Sequence, residues 1–499
     1  MKLQFTYIIL VFALTACTNY LDEVQDNRTQ IDTEEKVAKL LVNAYANAQF
    51  SEFAESMSDN AEDKGSDGVL GPQAIINEKS YKWEDYESIT DIDGSSNFWT
   101  NSYAAIAQAN QALASLEKLK NKTIRSGALR GEALLARAYA HFMLVNFFSM
   151  RYDLATASTA LGVPYILVPE QNAIVHYKRE TIEETYRLIE QDLTEGLSLV
   201  SSEYDEPKFH FTPKSAHAFA ARFYLYKGEW EKVIEHANFV LGSGSPAAVI
   251  RDRVSAAFNS QTYSEEVVRY SSATERANLL VAWTNSLVGR NYEDYRYGFS
   301  VEKLNELFSG GTNPFLKNWA YRFFYGGTDY TYHLATYTEY FRITNVSAGT
   351  GYAHASLVHF TTDEALLNRA EAYAMLDKFD EASSDLTAYL SQKTKNFDPV
   401  TDVITTALMK STYPVVPGEY TPMYSLSDTQ ASFVKGISEF KRREYLHEGL
   451  RWFDVKRFNL VVTHNLSGGG SITLEKDDPR RAIQIPETAI AFGIEANKR

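Results

Sequence analysis

The 499-residue chain contains a single cysteine, Cys17. No internal disulfide can form, so stability has to come from packing rather than from cross-links of the kind that hold small secreted scaffolds. Positive charge is also short. Lys and Arg number 49 against 64 Asp and Glu, a net charge of −15, which argues against a nucleic-acid partner and against simple electrostatic docking on anionic lipid. After the N-terminus no segment approaches 18 consecutive apolar residues, so no membrane-spanning helix is expected in the mature chain. Catalytic signatures are missing as well. There is no Gly-x-Ser-x-Gly elbow, no phosphate loop, no Gly-x-Gly-x-x-Gly and no His-Glu-x-x-His, since Arg451 follows His447-Glu448 where a second histidine is needed. The ten histidines show no metal spacing. Asp91-Ile92-Asp93-Gly94-Ser95 lacks the ligands of a calcium loop and reads as a polar turn. No cofactor and no metal are expected.

The N-terminus holds the first positive signal. Lys2 precedes an apolar run, 5–14, too short to span a bilayer, and Leu14-Thr15-Ala16-Cys17 closes it with small residues. This is the layout of an exported segment, and it resembles a bacterial lipobox. Residues 1–16 are expected to be a signal peptide and 17–32 a tether lipidated at Cys17. One acyl chain anchors marginally, at about 0.8 kcal/mol per buried CH2, whereas two or three hold firmly. Lipidation at Cys17 also leaves no thiol for nucleophilic catalysis.

Aromatics are abundant, with 32 Tyr, 28 Phe and 6 Trp. They suit both helix packing and the stacking of sugar rings. Helical periodicity begins after Thr33, an N-cap, and strengthens from Trp99 through Leu113 and from Gly131 to Phe148. Thr181 and Thr212-Pro213 open two more helices, and Lys227-Gly228-Glu229 turns into a further one from Trp230 to Leu241. That helix–turn–helix recurs at 362–390, with Ala220-Ala221-Arg222-Phe223-Tyr224 aligned on Arg369-Ala370-Glu371-Ala372-Tyr373. Such pairs resemble tetratricopeptide units, which bury their apolar face only by stacking on neighbours. Two blocks, 58–97 and 251–360, lack this periodicity and are rich in turn residues and aromatics. Within the second, 337–343 and 356–361 read as short strands. Residues 440–458 mix charge and aromatics densely. They read as a helix whose arginines pair with carboxylates and lock the orientation of neighbouring helices.

Taken together these segments resemble the SusD/RagB family of outer-membrane nutrient-binding lipoproteins. The resemblance runs from Tyr20-Leu21-Asp22 after the lipobox, through Trp99, Tyr103, Ile106 and Asn110, to Gly131-Glu132-Ala133 with Arg137-Ala138. It continues in Gly162-Val163-Pro164-Tyr165, Arg179-Glu180-Thr181 and Arg369-Ala370-Glu371-Ala372-Tyr373. It ends in Glu444, Glu448-Gly449, Arg451, Asp454 and Arg457, followed by Ile485-Pro486. Phe440 stands where the family often has a glutamate, which removes one expected ion pair. The resemblance implies a mainly α fold of tetratricopeptide-like pairs, with residues 33–499 as one domain carrying loop insertions at about 58–97 and 251–360. It implies capture of an oligosaccharide, less often a peptide, and delivery to a SusC-like TonB-dependent transporter. It implies a lipid-anchored protein at the outer-membrane surface and no bond-breaking.

Ligand residues do not carry over from the family, because its ligand loops vary. Chemistry supplies the candidates instead: an exposed aromatic platform flanked by groups that hydrogen-bond hydroxyls. Trp83, Trp283, Trp319, Tyr292 and Tyr295 are the candidate rings, with Asp67, Asn291 and Arg296 beside them. Trp99, Trp230 and Trp452 fall in helical stripes and are expected to be structural. A surface glycoside hydrolase and a helical protein-binding scaffold stand as alternatives, since paired carboxylates meet in space rather than along the chain.

Overall fold

Local capping chemistry sets the helix ends in the computed structural model, which describes residues 31–65, 68–86, 91–120, 122–172, 174–325 and 332–499. Cys17, its tether and Asp67 lie outside the described residues. Thr33 accepts from the Lys36 amide and opens α1, Glu34–Leu41. Two long helices follow, α2 (Ser95–Lys118) and α3 (Ile124–Phe148). Thr181 accepts from the Glu184 amide at 3.1 Å and opens α4, Ile182–Leu199. Thr212 and Ser215 form a capping box with Pro213 in the first turn of α5, Pro213–Lys227. Gly228, in the left-handed region at φ 72°, turns the chain into α6, Trp230–Leu241. The second predicted pair is α7 (Thr362–Met375) and α8 (Phe379–Ser391). No helix among the described residues is long and apolar enough to cross a membrane.

Buried arginine forks fix how these helices meet. On α3, Arg137 donates twice to Asp192 of α4 (2.7 and 2.7 Å) and once to Asn110 of α2 (2.8 Å), while the Tyr165 hydroxyl donates to the same Asp192 at 2.6 Å. Arg137 and Tyr165 thus meet on the one carboxylate of α4, and Arg137 ties Asn110 of α2 to them. Arg222 of α5 makes a second fork to Glu364 of α7 (2.6 and 2.6 Å) and joins the two helical pairs. Arg369 makes a third, from α7 to Asp385 of α8 (2.8 and 2.7 Å). Desolvation offsets much of the Coulombic gain in such pairs, so their main effect is to penalise every other helix arrangement.

The segment read as one helix at 440–458 is two. Helix α9, Asp428–Glu444, ends before a tight turn, and α10, Arg451–Arg457, follows it. The Glu55 carboxylate takes the amides of His447 and Gly449 (3.0 and 3.0 Å), and Gly449 sits at φ 75°. A Cβ there would lie 2.8 Å from that of Ala54, so only glycine permits the approach. The expected pairing of its charges is present. Arg451 forks onto Asp59 (2.7 and 2.8 Å), Lys441 reaches Glu371 (3.1 Å) together with Arg457, and Glu444 faces Lys393 at 3.1 Å. Phe440, in place of a carboxylate, is fully buried against Trp319, Tyr389 and Tyr413.

The two irregular blocks are more ordered than their composition suggests. Residues 58–97 contain a helix, Pro72–Tyr81, and Ser58 and Asn60 are wholly buried. Residues 251–360 contribute strands to a three-stranded antiparallel sheet: β1 (Asn278–Asn285), β2 (Tyr340–Asn345) and β3 (Thr350–Thr361), with β3 in the centre. The two predicted strand fragments belong to one hairpin. Strand β1 was not expected, although Leu279-Leu280-Val281-Ala282-Trp283-Thr284 is strand-like in composition. Ala282, Thr284, Ala355 and Leu357 face the interior. Strand β3 runs directly into α7, whose N-cap is its last residue, Thr361.

Two consequences are measurable. Arg451→Met leaves Asp59 without its fork in a largely buried site, and urea unfolding should show a loss of about 3 kcal/mol. Adding Asp59→Asn should recover part of that loss, and simple additivity of the two would contradict the pairing. Burial pushes the Glu448 carboxyl up to about 8 from an ordinary 4.5. Between those values the folded protein holds a proton that the unfolded chain has lost, so this group lowers stability as pH rises. Glu448→Gln should therefore flatten the fall in Tm between about pH 4.5 and about pH 8; an unchanged slope would mean that the carboxyl is already ionised in the fold.

Candidate ligand-binding site

Four of the five candidate rings are core residues, which corrects their assignment as an exposed platform. Trp83 is 5% exposed, donates its indole N–H to the Met57 carbonyl (3.0 Å) and stacks on His464 at 4.3 Å. Trp319 is 4% exposed, donates to the Thr312 hydroxyl (2.8 Å) and carries the Arg443 guanidinium over its ring. Tyr292 donates to the Leu334 carbonyl (2.9 Å) and Tyr295 to Glu52 (2.8 Å), both from buried positions. In each case the polar edge is spent internally and the apolar face is covered, so no face remains for a sugar. Arg296 is likewise committed, to Asp63 (2.8 and 3.2 Å) and Ser467 (3.2 Å). This pairing holds the Asp63 carboxyl below its ordinary range, although desolvation opposes it. Asn291 closes the four-residue helix Val288–Asn291, and its carbonyl accepts from the Asp294 amide.

Trp283 is different. It is 49% exposed on the outer face of β1. The register places Trp283 opposite Ser356, Tyr340 opposite His354 and Arg342 opposite Tyr352. Directly opposed residues share a face, so Trp283, Ser356, His354, Tyr340, Tyr352 and Arg342 all stand on the open side of the sheet. The Trp283 and Tyr340 rings lean together across the central strand, with centroids 4.9 Å apart and planes at 47°. Ser356 beneath them is 7% exposed, whereas Tyr352 further along is 56% exposed. Sequence reading missed Tyr340 and Tyr352. The two-residue period of the predicted strand did place Tyr340 and Arg342 on one side, but only the pairing with β1 brings Trp283 to them.

The base of this hairpin is held firmly. Arg290 forks onto Glu339 (2.7 and 2.7 Å), the Leu287 amide donates to Asp93 (2.9 Å), and the Asn285 amide donates to the Asn47 side chain (2.7 Å). Asp93, from the polar turn that had been weighed as a calcium loop, is buried, and its carboxyl is pushed up to about 6 by desolvation. The open face offers groups that suit a carbohydrate: two tilted aromatic faces with phenol, indole, imidazole and guanidinium groups around them.

A larger concavity, about 630 Å³, lies between α2 and the C-terminal segment and is lined by Trp99, Tyr103, Ile166, Tyr177 and Phe492. Its tyrosine hydroxyls are already used, Tyr103 on the Pro164 carbonyl (2.9 Å) and Tyr177 on Glu170 (2.8 Å).

Comparison with known proteins adds to this geometry. Residues 19–225 match the SusD-like family model described as starch-binding associating with outer membrane. Over that stretch, about two fifths of its length, the chain is similar to the SusD-like family. Within curated relatives, SusD-like protein P2 of Formosa agariphila is 22% identical over 263 residues, covering 48% of this chain and 46% of that protein, so the match spans about half the length of the relative. The fold is that of a SusD superfamily protein from Bacteroides thetaiotaomicron, with a TM-score of 0.64, 18% identity and coverage of 94% and 100% of the two chains. A SusD-like carbohydrate binding protein from Bacteroides vulgatus gives 0.63 at 17% identity, covering 92% and 96%. A laminarin binding SusD-like protein gives 0.60 at 18% identity, covering 93% and 99%. The mainly helical architecture expected from the motifs is the one found.

The contrast between the two tryptophans can be tested by thermal and urea denaturation. Trp319→Ala should cost about 3–5 kcal/mol as a large-to-small core change. Trp283→Ala should stay within about 0.5 kcal/mol of the parent protein. Equal losses at both positions would place Trp283 in the core.

Proposed function

We propose that this chain is a cell-surface glycan-binding lipoprotein, anchored through Cys17, that captures an oligosaccharide on the open face of the β1–β3–β2 sheet and delivers it to a SusC-like TonB-dependent transporter. One observation carries the binding reading: the half-exposed Trp283 and the half-buried Tyr340, two aromatic rings 4.9 Å apart, lean together on the open face of the sheet. Exposed paired rings are costly to keep in water, and stacking against the C–H face of a sugar is the use that fits them best. The family description and the carbohydrate-binding relatives support the same ligand class. Association of the family with the outer membrane supports the location.

The reading is of a binder and not an enzyme. Glycoside hydrolysis calls for two carboxyl groups flanking the scissile bond. Strands β1, β2 and β3 contain no Asp or Glu at all, so the platform itself brings no acid–base pair to a bound sugar.

Affinity electrophoresis through gels containing single polysaccharides checks the proposal. Retardation in at least one gel is expected, with a loss of about tenfold or more in Trp283→Ala and in Tyr340→Ala, one to a few kcal/mol. Release of reducing sugar by the purified protein would overturn the non-catalytic reading. Cys17→Ala should leave the gel shift unchanged while moving the protein from the membrane fraction to the soluble fraction.

A further inference from the structure

The charge pattern of the sheet narrows the ligand class, on the premise that the open face is the glycan site. The protein as a whole is acidic, with 64 Asp and Glu among 499 residues. Yet the 8, 6 and 12 residues of β1, β2 and β3 include none. The one fully charged side chain in these strands is Arg342, exposed on the open face directly opposite Tyr352 and two residues along from Tyr340.

Arg342 is also set apart by what it does not touch. The other arginines of the described residues are engaged, in forks such as Arg137–Asp192 and Arg290–Glu339, or on carbonyls as for Arg179 and Arg481. Arg342 is the one arginine among the described residues whose side chain has neither an ion pair nor a hydrogen bond. A guanidinium presents five donors in a planar fork matched to carboxylate and sulfate oxygens. Here that fork stands unclaimed beside an aromatic platform, on strands that carry no acid of their own.

We propose that the ligand is an anionic glycan, one whose sugar carries a carboxylate or a sulfate ester. Its ring stacks on Trp283 and Tyr340 while the anionic group is held by Arg342. Successive same-face residues on a strand are about 7 Å apart, so the stacked sugar or its immediate neighbour in the polymer brings a substituent to the guanidinium. The net charge of −15 disfavours loose, non-specific adhesion of a polyanion.

The test uses the full chain in gels or titrations with a neutral β-glucan, with polygalacturonate as the carboxylated polymer and with a carrageenan as the sulfated one. At least one acidic polymer is expected to bind at least tenfold more tightly than the neutral one, and the carboxylated and sulfated arms identify which anion is read. Arg342→Gln should abolish that preference, Arg342→Lys should retain part of it, and Arg187→Gln, an exposed arginine on α4, should leave it unchanged. Raised salt should weaken binding of the acidic polymer and not of a neutral one. Equal or tighter binding of the neutral glucan, insensitive to Arg342→Gln, would overturn the anionic assignment and leave glycan binding intact. Failure to bind any polymer, with Trp283→Ala indistinguishable from the parent, would overturn the binding site itself.

Discussion

Asp59 and Arg451 are 392 residues apart in sequence and joined by two short charge-assisted hydrogen bonds. The pair belongs to a set of contacts through which one short N-terminal segment, residues 51–60, organises the rest. Glu52 receives the Tyr295 hydroxyl from the strand-bearing block, Glu55 receives the two amides of the turn between α9 and α10, and Asp59 receives Arg451 with Arg442 close by. Three carboxylates at a spacing of three to four residues project from one short helix and its end. Glu52 is claimed by the strand-bearing block, and Glu55 and Asp59 by the C-terminal signature. The segment is thus the place where helical scaffold, C-terminal signature and ligand-bearing block are registered against one another.

Such a construction depends on ionisation being resolved inside the protein. Glu444 shows how. Although burial opposes its charge, Lys393, Arg253 and Arg251 hold its carboxyl down at about 2, and Tyr321 donates to it at 2.7 Å. Glu448, four residues on and equally buried, is approached mainly by Tyr270, and burial wins. Two glutamates on consecutive turns of one signature therefore have opposite protonation preferences. The difference lies in the number of cations within reach and not in depth.

Much of the scaffold was legible in the sequence because its determinants are local. Thr33, Thr181 and Thr212 cap the helices they were expected to cap, and the paired helices at 213–241 and 362–391 stand as read. What failed were readings that depend on distant partners. The helix expected at 440–458 ends at Glu444, and the turn that follows packs Gly449 against the distant Ala54 and Ser51. Trp319 and Trp283 sit in equally irregular stretches, yet one is packed against Phe440 and the other faces solvent, and nothing adjacent in sequence distinguishes them. The aromatic density that marked residues 251–360 as a ligand block is mostly core, including Tyr292, Tyr295 and Phe299. The candidate platform itself is a product of strand pairing across some 57 residues, from Trp283 to Tyr340, which no local pattern reports.

The junction at Thr361 carries a mechanical meaning. The central strand of the sheet becomes a scaffold helix at a single residue, whose hydroxyl caps that helix, and just before it the His359 carbonyl is gripped by Arg222. There is no loop in between to absorb movement. A tilt of the sheet must rotate α7 with it and load the Arg222–Glu364 fork, so the aromatic face and the helical pairs act as the two arms of one stiff lever.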